Sequence, residues 1–115
     1  MVALPKLNIH LMEVKYMYFI TCFQKIDEDN YGLSVGASRT FGYLDNFDEA
    51  NDALKYNVCD MHEYLYRYAV IEKIGSGIFP IAEERWFYKY NEEKGGFYPI
   101  EEPKEFEHYT NIALG

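Results

Sequence analysis

The sequence is short of cysteine, of long apolar runs and of positive charge. Its only cysteines, Cys22 and Cys59, are too few for a disulfide framework. No stretch reaches the roughly 18 consecutive apolar residues that a membrane-spanning helix needs. The start of the chain has neither the apolar core nor the small-residue cleavage site of a secretory signal. These absences favour a cytoplasmic protein with reduced, unbridged thiols and no membrane association.

Positive charge is scarce because 11 lysines and arginines stand against 19 aspartates and glutamates, which gives a net charge of −8. Phosphate backbones and anionic membrane surfaces are bound by Lys and Arg, so this balance disfavours direct contact with nucleic acid or lipid. It permits a basic protein as partner. The same charge also keeps small domains soluble, and the composition leaves a homo-oligomer open.

Aromatic residues, by contrast, are abundant at 18%, and 12 of them are tyrosines. Half-buried sheet faces or a binding surface would each account for them, because tyrosine packs its ring while its hydroxyl stays hydrated. With 115 residues, 49% of them hydrophobic, the chain can build the core of one domain. We expect residues 15–115 to form that domain. Residues 1–14 are expected to be a loosely ordered leader, since a strand pattern begins only near Lys15, and Met12 or Met17 could be the native start.

Apolar patterning predicts two strands in the first part of the domain. Tyr16–Lys25 carries apolar side chains on both of its faces, which is typical of a strand inside a sheet. Residues 27–32 are polar and end in glycine, and they are predicted to form a connection with turn chemistry. Ser38–Leu44 is predicted to return as a shorter strand, antiparallel to the first.

A helix signal follows at Asn46. Asn46 can cap the helix and Glu49 can complete a capping box, while acidic residues in the first turn suit the helix dipole. Apolar residues then recur in steps of three and four along one stripe: Phe47, Ala50, Leu54, Val58, Met61 and Leu65. A second capping box, from Asp60 to Glu63, leaves two interpretations open, namely one long helix or two shorter helices with a break near Asn57.

Three further strands are predicted after the helix. Tyr68–Ile74 is a strand that ends at a glycine-rich turn, and Arg85–Asn91 and Gly96–Glu101 form a hairpin whose loop glycines supply positive φ. Residues 105–114 form a short terminal helix or an extended tail. The order β-β-α-β-β-β predicts an α+β fold, in which an antiparallel or mixed sheet of about five strands has the helix packed on one face.

The core is predicted to include the single tryptophan, Trp86, because it lies on an apolar strand face. We expect it to be buried between the sheet and the helix, together with four apolar residues: Phe19, Ile20, Leu54 and Val70.

No constellation of residues predicts catalysis, a metal site or a cofactor. Cys59 and His62 are three residues apart on the predicted helix, but two ligands do not make a zinc site and nothing marks an oxyanion hole. A buried cysteine beside a surface histidine is the expected arrangement there. Residues 27–38 match only the front of a calcium loop, and residues 75–80 match only part of a phosphate-binding glycine loop. Glu72 is predicted to face solvent or to pair with Arg85 on a neighbouring strand.

The segment 92–107 concentrates carboxylates and aromatic rings. Its candidate protein-binding residues are Glu92, Glu93, Tyr98, Glu101, Glu102, Glu105 and Glu107. One interpretation is a solvated hairpin edge that its charge protects from aggregation. The other is a surface that presents carboxylates and rings to a basic groove, as nucleic-acid-mimicking inhibitors do.

Two stretches of sequence carry a resemblance. Residues 68–103 include Glu84-Arg85-Trp86-Phe87 and Tyr98-Pro99-Ile100-Glu101, and residues 36–43 are followed by Phe47-Asp48-Glu49-Ala50. They resemble a group of small uncharacterised proteins encoded by phages and mobile elements of Gram-positive gut bacteria, over nearly everything after Lys15. The resemblance brings no catalytic motif. It implies a context, because short accessory genes of mobile elements often encode inhibitors of host defence.

Three functional hypotheses follow from these observations. The first is a non-enzymatic acidic binding protein that inhibits a basic host protein such as a defence nuclease, in the manner of anti-CRISPR proteins. The second is a protein that sequesters a nucleotide-like small molecule in an aromatic pocket, with Arg39, Arg67 and Arg85 as candidate ligand-binding residues. The third is an enzyme of unfamiliar design.

Overall fold

The computed structural model describes residues 14–29, 32–77, 80–107 and 109–114, and the predicted leader lies outside them except for Val14. The described chain has an α+β fold in which five strands form an antiparallel sheet of order β4-β1-β5-β6-β7, as predicted. The elements are β1 (Tyr16–Phe23), β2 (Asp27–Asp29), β3 (Gly32–Ser34), β4 (Ser38–Leu44), α1 (Phe47–Lys55), β5 (Tyr68–Gly75), β6 (Ala82–Asn91) and β7 (Gly96–Ile100).

Strand β1 lies inside the sheet, as its apolar pattern on both faces predicts. It pairs antiparallel with β4 on one side and with β5 on the other. Its pairing with β4 is interrupted between Ile20 and Thr21, where Gly42 and Thr40 are the partners and Phe41 is the extra residue of a bulge.

The connection predicted for residues 27–32 is partly wrong, because β2 and β3 pair there as a separate two-stranded hairpin. The strands are only three residues long and Leu33 is their one apolar residue, so they carry no period-two apolar signal from which a strand is predicted. The hairpin nevertheless packs on the sheet, since Ile26, Leu33 and Val35 contact a buried cluster.

Helix α1 begins at the predicted cap. It ends at Lys55, although the apolar stripe predicted from the sequence continues to Leu65. The Asn46 side chain accepts a hydrogen bond of 2.8 Å from the Glu49 backbone N–H. Beyond Lys55 the chain turns, because Asn57 takes a left-handed conformation with a φ of 47°. The segment 57–64 contains further left-handed residues and one short 3-10 turn, Val58–Asp60, so the second capping box starts no α-helix.

Buried residues form one cluster on each face of the sheet. The helix-side core includes Ile20, Cys22, Leu54, Ala69, Tyr88 and Phe97. The far-side core consists of Phe23, Val70, Phe87 and Phe106, covered by the β2–β3 hairpin and by the C-terminal segment.

The predicted grouping around Trp86 is therefore only partly right. Trp86 is partly buried and packs on the helix-side core with Ile20 and Leu54, but Val70 belongs to the far-side core. Phe19 is partly buried and contacts the ring of Tyr43 instead. Alternation along a strand separates these residues, because successive side chains point to opposite faces.

The contact between α1 and β7 requires a glycine. A Cβ atom added at Gly96 would lie 1.8 Å from the Lys55 carbonyl oxygen, so no larger residue fits without movement of the helix end. This close approach fixes the helix over the β6–β7 hairpin and thereby positions the surfaces described below. Within the described residues, no helix is long and apolar enough to cross a membrane.

Candidate functional site

The predicted acidic residues fall into three groups along the β6–β7 hairpin and the chain that follows it. Glu92 and Glu93 are exposed in the hairpin turn, and Glu101 and Glu102 are exposed just beyond β7. The five residues of β7 separate the two groups by roughly 16 Å, given the rise of a strand. They therefore belong to opposite ends of the hairpin.

The third group, Glu105 and Glu107, flanks the buried residue Phe106 in the C-terminal segment. Glu105 is partly buried and Glu107 is exposed, on either side of Phe106. Phe106 is 1% exposed, and its ring lies 5.1 Å from that of Phe87 in the far-side core. These two carboxylates consequently lie where the chain turns to pack on the sheet. Tyr98 is partly buried on β7, with the Lys94 ammonium 4.5 Å from its ring centroid.

A cleft opens where β7 ends. Strand β7 pairs with β6 only from Phe87 to Asn91, so the earlier part of β6 has no strand neighbour on that side among the described residues. The resulting cleft has a volume of about 310 Å³ and includes in its lining Phe47, Asn51, Trp86, Pro99, Ile100 and Glu102. We call it the Trp86 cleft.

Aromatic contacts give the Trp86 cleft a defined shape. The ring of Trp86 lies 4.5 Å from that of Phe47, at the start of α1. The Tyr88 hydroxyl donates a hydrogen bond of 2.8 Å to the Asn51 side chain, and burial raises the pKa of this tyrosine. Ring packing and one hydrogen bond thus hold α1 and β6 together at the base of the cleft.

Exposed carboxylates lie beside two of the segments that line the Trp86 cleft. Glu102 lines it and Glu101 precedes Glu102 on the exposed chain, while Asp48 and Glu49 are exposed in the first turn of α1, directly after Phe47. Negative potential from several carboxylates is therefore concentrated on one apolar opening.

Arg85 also contributes to the lining, but its charge is engaged on the far side of the sheet. Its Nε donates a hydrogen bond of 2.9 Å to Glu72, whose side chain is fully buried. The Arg85 guanidinium also donates to the backbone carbonyl oxygens of Phe106 and Tyr109. Of the two predicted environments of Glu72, pairing with Arg85 is confirmed and solvent exposure is wrong.

Glu72 ties the C-terminal segment to the sheet. Its carboxylate accepts hydrogen bonds of 2.8 Å from the backbone N–H groups of Ile112 and Ala113. The predicted tail is accordingly a short 3-10 turn, Lys104–Phe106, followed by an irregular strap over the far-side core.

The three arginines predicted to bind a small ligand are not brought together. Arg39 lies on the helix side of β4, with an ion pair of 3.0 Å to Glu63 and its guanidinium 4.7 Å from the Phe41 ring centroid. Arg85 is held on the opposite face, as described above, and Arg67 is exposed just before β5. An apolar groove of about 210 Å³ lies beside β4, but its lining contains no arginine.

The predicted arrangement of Cys59 and His62 is reversed. Cys59 is exposed, and its backbone is left-handed with a φ of 57°. His62 is 8% exposed and stacks on the ring of Tyr90 at a centroid distance of 3.5 Å. The expectation depended on a continuous helical stripe, which the left-handed segment 57–64 breaks. Both cysteines are free, as predicted, and in the described part of the chain no three His, Cys, Asp or Glu side chains are grouped to hold a metal ion.

Sequence reasoning missed a second site at the other end of the hairpin. A cavity of about 220 Å³ there is lined by His62, Tyr64, Tyr90 and Glu92. Burial lowers the pKa of His62, although the charges of Asp60 and Glu92 act against that shift. The residues are far apart in sequence, and only the alternation Trp86, Tyr88, Tyr90 on one strand face hinted that an aromatic surface lies there.

Comparison with known proteins identifies no relative: no protein-family model, no curated protein and no solved structure matches the chain.

Proposed function

We propose that this chain is a non-enzymatic acidic binding protein that engages a basic protein through the Trp86 cleft. In the context that the sequence resemblance implies, the partner is a host protein such as a defence nuclease, and binding inhibits it. The observation that carries the proposal is the combination of an open aromatic cleft with exposed carboxylates on two of its sides.

The chemistry of the cleft matches what protein interfaces use for affinity and orientation. Aromatic anchors in desolvated pockets contribute most of the binding energy of an interface, and an apolar or aromatic side chain of the partner would fill the space between Phe47, Trp86 and Ile100. Exposed carboxylates contribute less energy. They accelerate encounter with a positive surface and disfavour acidic competitors.

The small-molecule alternative has weaker support. Binding a nucleotide-like ligand needs cationic groups directed into a pocket, and Arg39 and Arg85 lie on opposite faces with their charges paired to Glu63 and Glu72. The apolar groove beside β4 could enclose part of a ligand, but no positively charged side chain lines it.

A capture experiment tests the proposal. The full chain is immobilised and its partners are recovered from a lysate of the proposed host, in parallel with a Glu101→Gln/Glu102→Gln variant. The control is Asp27→Asn/Glu28→Gln. It also removes two negative charges, but from exposed residues of the β2–β3 hairpin on the other side of the sheet. Because exposed charges contribute little to stability, all three chains should fold alike.

The proposal expects a basic protein that the wild type and the control retain and the Glu101/Glu102 variant loses. An Ile100→Ala variant, which removes a 37% exposed anchor from the cleft, should lower affinity through faster dissociation. Equal retention by the acidic variant and the control would contradict the proposal.

A further inference from the structure

Three aromatic side chains and one carboxylate line the small cavity beside the β6–β7 turn. They are His62, Tyr64, Tyr90 and Glu92, and we call this cavity the aromatic cup. We infer that the aromatic cup binds the guanidinium group of an arginine side chain on a protein partner. The inference rests on the proposed function in taking the partner to be basic, and it assigns a position at which one positive charge is held.

The rings of the cup are arranged for a flat cation. His62 and Tyr90 are stacked, with 3.5 Å between ring centroids and 4° between ring planes. Tyr64 stands beside them, 5.8 Å from His62 and tilted by 56°. The buried ring of Phe97 lies 6.2 Å from that of His62, with 78° between the ring planes. The stacked pair is therefore a fixed wall, and Tyr64 is a second wall at an angle to it.

Tyr64 is held out in solvent by a strained backbone. Tyr64 is 91% exposed, and both Glu63 and Tyr64 have positive φ, at 51° and 57°. Such a conformation is unfavourable for a bulky residue and persists only where the surroundings determine it, which is common at binding sites. Here the N–H groups of Leu65 and Tyr66 both donate to the His62 carbonyl oxygen at 2.9 Å. The turn thus presents an aromatic ring that no packing requirement explains.

The charge of the cup favours a cation. Glu92 contributes a carboxylate to the lining. Burial lowers the pKa of His62, so at neutral pH its ring is uncharged and does not repel a positive ligand. The charges near His62 are those of Asp60, Glu92 and Arg67, of which Arg67 is exposed and outside the lining. Two of these three charges are negative, and the lining contains Glu92 but no lysine or arginine.

Among biological cations, a guanidinium fits these groups best. It is planar, it is weakly hydrated, it stacks on aromatic rings, and its N–H groups match a carboxylate in a two-bond geometry. A lysine ammonium is compact and more strongly hydrated, so it gains less from the stacked wall. A cavity of about 220 Å³ suits one side-chain end rather than a whole ligand molecule.

Titration with small compounds tests the cup without any partner protein. The probe is N-acetyl-arginine methylamide, and its effect on the ring signals of His62, Tyr64 and Tyr90 is followed by NMR in the full chain. The matched compound is the citrulline analogue, which has nearly the same shape and no charge. N-acetyl-lysine methylamide and tetramethylammonium are the other two probes.

Two substitutions with matched controls accompany the titration. Tyr64→Ala removes one exposed ring and should weaken arginine binding about two- to fivefold, the usual size of an exposed cation–π contact. Glu92→Gln should weaken it further and reduce its salt dependence. The controls Tyr56→Ala, which removes another exposed tyrosine, and Glu93→Gln, the neighbouring carboxylate, should leave binding unchanged.

Saturable shifts with the arginine probe that are absent with citrulline, and whose affinity is lower in the two variants and unchanged in their controls, would support the assignment. Equal binding of citrulline, tighter binding of lysine or tetramethylammonium, or an unchanged affinity for the arginine probe in Tyr64→Ala would overturn it. Because Glu101 and Glu102 are not involved, a negative titration leaves the Trp86 cleft untouched, and a failed capture leaves this result intact.

Discussion

Substitution of Glu72 by glutamine tests how the C-terminal strap is held on the sheet. The Glu72 carboxylate is fully buried and accepts hydrogen bonds from Arg85, Ile112 and Ala113. Glutamine keeps the size and one oxygen acceptor. It leaves the Arg85 guanidinium, which is 8% exposed, without its counter-charge and places an amide N–H group against it.

The expected cost follows from burial of an unpaired charge. Removing one partner of a buried ion pair costs about 3–5 kcal/mol, a large part of the total stability of about 5–15 kcal/mol for a small domain. With a urea dependence of about 1–3 kcal/mol per molar for small proteins, the unfolding midpoint should fall by about 1 M or more. Amide hydrogens of Ile112 and Ala113 should also lose their protection from exchange, because the strap loses its anchor.

Glu84→Gln is the matched control. Glu84 pairs with Lys73 across the same two strands, but at 3.8 Å and with the Glu84 side chain 56% exposed. An exposed pair contributes at most about 1 kcal/mol, so this variant should unfold close to the wild type. If Glu72→Gln costs no more than Glu84→Gln, the buried pair does not hold the C-terminal strap and the reasoning is wrong.

Three further predictions concern thiols, pH and packing. Cys59 should react with a thiol reagent in the folded protein, whereas Cys22, whose pKa burial raises to about 12, should react only after unfolding. Burial lowers the folded-state pKa of His62 below its ordinary value of 6.5. Its contribution to stability is therefore full above pH 6.5 and is lost as pH falls from 6.5 through the folded value, which urea unfolding between neutral and mildly acidic pH would measure. Gly96→Ala should destabilise by about 1–3 kcal/mol in the same assay, because its methyl group meets the Lys55 carbonyl.

Each of these has its own control. Cys59→Ser should abolish the fast thiol reaction, and two fast thiols in the wild type would show that Cys22 is accessible. His62→Phe keeps a ring against Tyr90 and should reduce the pH dependence, so an unchanged slope would assign it to other groups. Gly95→Ala adds a methyl group in open space at a positive φ, and it should cost less than Gly96→Ala.

The fold is largely predictable because its signals are local. Apolar residues on both faces mark β1, the capping residues Asn46 and Glu49 mark the start of α1, and the loop glycines mark the β6–β7 hairpin. The sequence leaves open whether α1 continues or breaks near Asn57, and the structure has the break. The apolar stripe continues to Leu65 in sequence, but Asn57 turns the chain, and the apolar residues beyond it reach the surface or the core through an irregular path. Periodicity alone does not show such a left-handed turn.

The candidate sites are less predictable because they depend on distant residues meeting. The acidic character of residues 92–107 is readable directly, yet the Trp86 cleft also needs the start of α1 and the early end of β7. The aromatic cup joins His62 and Tyr64 to Tyr90, a pairing fixed by strand register and by the turn at 57–64. The pairing of Glu72 with Arg85 is predictable because the two residues lie on neighbouring strands, whereas the strap that covers it carries no sequence pattern.

The most direct test of the proposed binding function is the association rate of the captured partner as salt is raised. Between about 0.15 M and about 1 M salt the screening length falls from about 8 Å to about 3 Å, so attraction between the carboxylates and a basic surface weakens strongly. We expect association of the wild type to slow steeply over this range. The Glu101→Gln/Glu102→Gln variant should associate more slowly at low salt, and its association rate should depend less on salt. Asp27→Asn/Glu28→Gln should behave like the wild type. A rate that is independent of salt, or equal for the two double variants, would contradict recognition of a basic partner at the Trp86 cleft.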